Sequence, residues 1–151
     1  MKKLLLLLGL CLYVFNGFAQ SNAANQSKDF DQFWKKWHTA IMKKDYNAVS
    51  QFIEFPLVIK RGEGANAIQT VAKNDFATFF KSFLDEPMHD DQSRFTVLRG
   101  MKDLNEEDKM LVDGDSATIN DMEFEKVDGT WKLVYIYQES QKAFAGTKAK
   151  N

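Results

Sequence analysis

The chain has 151 residues, a formal net charge of -1 from 20 Lys and Arg against 21 Asp and Glu, 13% aromatic residues and one cysteine. Mild acidity with interspersed signs gives no electrostatic footprint for nucleic acid, and one cysteine supports neither a disulfide framework nor a thiolate metal site. The length suits a single domain that buries roughly two thirds of its unfolded surface.

Met1-Lys2-Lys3 followed by the apolar run Leu4 to Phe15 has the layout of a secretory signal peptide. The run is shorter than the ~20 residues that a bilayer span needs. Gly17 and Ala19 supply small side chains at the minus-three and minus-one positions, which predicts cleavage after residue 19. The product is then exported, periplasmic or secreted, with no membrane attachment. Cys11 opens a lipoprotein alternative, although Leu10 stands where a small residue is expected before a lipidated cysteine. Taking nineteen residues and their two lysines from 151 residues at -1 leaves 132 residues at -3 with no cysteine. Such a domain is held together by its core.

Residues 20–28, "QSNAANQSK", form a small, polar lead-in. Asn25-Gln26-Ser27 matches a glycosylation acceptor, a pattern common by chance. From Phe30 the character changes: Phe30, Phe33, Trp34, Trp37 and Ile41 recur at helical spacing on one stripe, with Ser27 or Asp29 as the cap. Asp45 predicts the cap of a second helix in which Val49, Phe52 and Ile53 share a face until Pro56 forbids continuation.

"PLVIKR", 56–61, reads as a strand closed by "GEGAN", and "AIQTV", 67–71, as its hairpin partner. Asn74 or Asp75 caps a third helix carrying Phe76, Phe79, Phe80, Phe83 and Leu84, which Pro87 ends. After Pro87 the period shifts from about 3.6 to about 2, which predicts strands at 94–98, 109–112, 116–127 and 130–138 and no further helix. Asp113-Gly114 and Asp128-Gly129 are hairpin signals, because glycine accepts the positive φ of tight turns. Residues 139–151 are polar and lysine-rich, a loose end.

Helices segregated from an antiparallel meander give an α+β layer architecture. The aromatic first helix, "KKDYNAVSQFIEFPLVI" running helix, proline, strand, and "VDGTWKLVYIY" as a closing hairpin resemble the NTF2-like superfamily, the cone fold shared by nuclear transport factor 2, ketosteroid isomerase and SnoaL-type cyclases. The resemblance spans most of residues 29–138 as an order of elements, with no catalytic signature, and is nearest to uncharacterised exported members. It implies that N-terminal helices pack in a curved antiparallel sheet with a cavity at the wide end, and that the outer sheet face pairs two subunits.

In that geometry Trp34 and Trp37 line the cavity and His38 stands about 80° to one side of the stripe. His38 is then either an interfacial histidine covering apolar surface or a general acid or base at the cavity mouth. On the closing strand Trp131, Leu133, Tyr135 and Tyr137 alternate with Lys132, Val134 and Ile136, so both faces are largely apolar. Tyr135 and Tyr137 join Trp34, Trp37 and His38 as walls of the pocket. Val134 and Ile136 hint that the outer face is covered by a second copy, unless they are scattered exposed residues on a monomer.

Harder chemistry gives negatives. No serine lies in a nucleophile elbow, and "RGEGAN" lacks the lysine and spacing of a phosphate loop. "DGDSATIND" places Ala117 and Thr118 where a calcium loop needs a ligand and a glycine. His89-Asp90-Asp91 is a suggestive trio, but His38 is the only other histidine, so neither metal nor cofactor is assigned. Three readings follow: a module binding a small apolar or amphipathic ligand in the cup, an isomerase, dehydratase or cyclase-like enzyme using His38 with a tyrosine at the oxyanion, or a protein-interaction domain with a filled core. A core packed solid between the first helix and the sheet favours the third.

Overall fold

The computed structural model describes residues 28–61, 65–88 and 91–138. The expected signal peptide, the lead-in up to residue 27, the tail from 139, and His89 and Asp90 of the histidine–aspartate trio lie outside the described residues.

Helix α1 spans 28–42 and buries Phe30, Phe33, Trp34, Trp37 and Ile41, the stripe read from the spacing. Its end is marked by Lys44 at φ 55, a left-handed closing position. Asp45 then caps α2 (Tyr46–Ser50), its Oδ1 accepting from the Ala48 N–H at 3.0 Å. Helix α2 stops well short of Pro56. Phe52 is in the turn and Ile53 opens strand β1 (Ile53–Lys60), so the expected shared helical face of Val49, Phe52 and Ile53 does not form. Pro56 sits inside β1 where neither neighbouring ladder has a pair: pairing with β2 (Ala67–Val71) begins at Leu57, and pairing with the last strand skips from Ile53 to Val58. A residue without an N–H is tolerated in a strand only at such a gap.

Helix α3 (Phe76–Asp85) buries its four phenylalanines and Leu84 as expected. The stretch after Pro87 departs from the expected meander. Residues 94–98 belong to helix α4 (Arg94–Gly100), and 109–110 to helix α5 (Glu106–Met110). Caps decide both: Ser93 Oγ accepts from the Thr96 N–H, and Asn105 and Asp108 form a reciprocal capping box. Strand β3 (Val112–Asp113) is short, and the expected long strand 116–127 is two, β4 (Ser116–Ile119) and β5 (Met122–Val127), folded at Asn120 and Asp121, both at positive φ. Strand β6 (Thr130–Tyr137) follows the Asp128-Gly129 turn, where φ is 50 and 75.

The six strands run in the order β2-β1-β6-β5-β4-β3, forming a curved, unclosed sheet with the helices packed against it. The α+β architecture therefore holds, with one parallel pairing, β1 with β6, among otherwise antiparallel ladders. One core joins α1, α3 and α4 to the inner sheet residues, among them Leu57, Ile59, Met122, Phe124, Leu133 and Ile136. The Phe124 ring packs edge-on against four rings of α1: Phe30, Phe33, Trp34 and Trp37. Outside this core, Asp29 ties the start of α1 to the sheet through Lys126 Nζ at 2.9 Å and the Trp131 indole N–H at 3.3 Å.

Candidate functional site

Helical spacing brings Trp34 and His38 to the same side of α1, one turn apart, and both donate hydrogen bonds to the end of α4. Trp34 Nε1 reaches the Met101 carbonyl and His38 Nε2 the Leu98 carbonyl, each at 2.8 Å. A carbonyl only accepts, so the His38 proton resides on Nε2. His38 is buried at 5% exposure, with its ring beside Trp34. The imidazole is thus a clamp between two helices.

Trp34 and Trp37 have 0% exposure, so not even a water-sized space touches either ring. Phe124 occupies the volume assigned to a ligand, with its ring centroid 6.1 Å from Trp34 and 5.2 Å from Trp37. Two buried side-chain nitrogens have no hydrogen-bond partner among the described residues, Arg94 Nε and, in this core, Trp37 Nε1. Such an orphan N–H is uncommon in a folded core.

Tyr135 and Tyr137 are not brought to this place. A bulge in β6 sets Phe124 opposite Leu133 but Glu123 opposite Tyr135, leaving Val134 as the extra residue. An extra residue inverts the alternation beyond it. Trp131 and Leu133 face the core before the bulge, and Ile136 faces it afterwards, paired with Met122 and Ile59, all three fully buried. Tyr135 and Tyr137 consequently lie on the outer face. The expected five-residue pocket resolves into two groups separated by the sheet.

The outer face carries its own constellation. Lys60 Nζ stands 3.3 Å from the Tyr135 ring centroid, and the Tyr137 hydroxyl donates to Glu123 Oε2. Glu123 and Glu125, two residues apart on β5, share this face. Burial, and then the charge and hydrogen bond of Glu123, raise the Glu125 carboxyl above its ordinary range, with Lys60 pulling the other way. Alternation in "MEFEKV" could have marked the acidic pair in the sequence; nothing in "TWKLVYIY" marks the bulge.

A second polar cluster went unread because its arginine was assigned to a strand. Arg94, at the first turn of α4, is buried over the Phe83 ring and donates through Nη1 to Asp121 Oδ2 at 3.0 Å and the Asn120 carbonyl at 3.2 Å. It pins α4 to the β4–β5 turn. Among the described residues no group of three or more His, Cys, Asp or Glu could hold a metal ion, and no helix is long and apolar enough to cross a membrane.

Comparison with protein-family models, with curated proteins and with solved structures finds no match.

Proposed function

We propose that this chain is an exported, non-catalytic interaction domain of NTF2-like architecture that pairs with a second copy through the outer face of its sheet. The observation that carries this reading is the β6 bulge. It removes Tyr135 and Tyr137 from the neighbourhood of Trp34 and Trp37 and sets them on the opposite face beside Lys60, Glu123 and Glu125. The NTF2-like part is supported by the curved sheet with helices packed against it.

A two-fold interface uses the same patch twice, so the patch must complement itself. Here Lys60 and an acidic pair share one face with two tyrosines and Val58. A second copy related by a two-fold axis sets its Lys60 on the Glu123–Glu125 pair, where two carboxylates crowd each other. Aromatic residues within a polar rim are the usual composition of such contacts.

Native mass spectrometry with charge exchange tests it. Lys60→Glu and the Glu123→Lys/Glu125→Lys double variant each become monomeric, and mixing the two restores a dimer. A wild-type chain that is monomeric at tens of micromolar, or variants that dimerise as before, would end this reading.

The unpartnered Trp37 N–H favours a second reading, a small molecule whose acceptor oxygen displaces part of α4 and bonds that indole. A mass increment retained by the chain purified from its own source, and lost in Trp37→Phe, would establish it.

A further inference from the structure

We infer that the free edge of the sheet at β3, with the shoulder of α5 beside it, is a second interaction surface, whose partner is an extended cationic segment carrying an apolar side chain. Helix α5 buries none of its five residues and is held by its capping box. Met110 is 75% exposed and Leu111 54%, an adjoining apolar pair at the point where the helix gives way to β3. Strand β3 ends the strand order and, among the described residues, pairs on one side only, with β4. An unpaired strand edge offers main-chain donors and acceptors to an incoming strand.

Charge identifies the occupant. Nearby acids are mostly engaged: Asp103 with Lys35, Glu106 with Lys109, Asp115 with Lys126, and Asp108 in the capping box. Glu107 and Asp113 have no ion-pair partner among the described residues, and they flank the Met110–Leu111 pair on either side in the chain. A second copy would set these carboxylates against their own equivalents, while the neighbouring Lys35, Lys109 and Lys126 are already paired. Like charges across a contact reject a partner, so the surface excludes self-association and selects a basic segment. Asp113 shares the outer sheet face with Glu125 through Ser116, so the two surfaces adjoin, but the strand edge and the Met110–Leu111 pair do not depend on the pairing proposed above.

The test uses the full-length chain and fluorescence anisotropy at low ionic strength with two labelled hexapeptides, one alternating lysine with leucine and one alternating glutamate with leucine. The lysine peptide binds and the glutamate peptide does not. Met110→Gln/Leu111→Gln, which alters only exposed side chains, weakens binding at least tenfold, as does Glu107→Lys/Asp113→Lys. Absence of lysine-peptide binding, or binding equal in wild type and Met110→Gln/Leu111→Gln, would overturn the inference. So would tighter binding after deletion of residues 139–151, since the chain's own lysine-rich tail would then be the occupant.

Discussion

The Nε2 of His38 and the carbonyl oxygen of Leu98 lie 2.8 Å apart, both buried, across 60 residues of chain. The same oxygen also accepts the Met101 N–H at 2.9 Å. One carbonyl near the end of α4 therefore receives both its own helix's closing bond and a donor from α1, which makes the histidine a structural joint.

Replacing His38 tests that joint. His38→Ala should cost about 1–3 kcal/mol in denaturant unfolding, since it removes a buried hydrogen bond and leaves space. His38→Gln, which can return a donor at similar reach, should lose less. In nitrogen-detected NMR the ring should show a proton on Nε2.

Phe124 is the inner-sheet ring on which α1 rests. Phe124→Ala should cost about 3–5 kcal/mol, because four aromatic contacts are lost together and the facing indoles cannot collapse into the gap. Thermal unfolding by near-UV circular dichroism measures this.

Two carboxylates should give opposite pH signatures. Asp29 is held below its ordinary 3.8 by its hydrogen bond to Lys126, so its contribution is present above that value and lost as pH falls through the lowered one. Asp29→Asn is expected to destabilise at neutral pH by about 0.2–1 kcal/mol, as exposed pairs do, and to be neutral in acid. Glu125 is raised above its ordinary 4.5 by burial and by Glu123. Ionising it therefore costs stability, and the cost grows as pH rises from 4.5 through the raised value. Glu125→Gln should match wild type in acid and exceed it at neutral pH by less than about 1 kcal/mol. Urea unfolding at several pH values separates the two.

Two glycines form a matched pair, since a Cβ added at Gly100 or Gly129 meets nothing within 4 Å. They differ in backbone: Gly129 has φ +75 in the β5–β6 turn, and Gly100 ends α4 outside the left-handed region. Gly129→Ala should destabilise by about 1–2 kcal/mol. Gly100→Ala should stabilise by about 0.4–1 kcal/mol. Chemical denaturation of the two variants reads both signs.

Elements with long periodic patterns were legible in the sequence. The stripes of α1 and α3 and the two Asp-Gly turns form where the spacing puts them, because each rests on several residues or on a glycine at positive φ. Helices α4 and α5 were not, being seven and five residues long, too short for a period to outweigh the β-branched character of "RFTVL" and the apolar run in "KMLV". Their capping signals, Ser93 and Asn105, were the legible trace. The site failed for a different reason. A strict two-residue alternation puts Tyr135 with Leu133, and the one-residue bulge at Val134 that separates them is set by pairing with β5, which no local pattern in β6 reveals.

The aromatic stripe of α1 faces a filled interior. All three tryptophans of the chain, Trp34, Trp37 and Trp131, are buried, so acrylamide quenching of intrinsic fluorescence reads them without background from exposed indole. The folded chain should show blue-shifted emission and a quenching constant several-fold below that of the urea-unfolded chain. Red-shifted emission, with quenching as efficient folded as unfolded, would place those rings at an open surface and contradict the account.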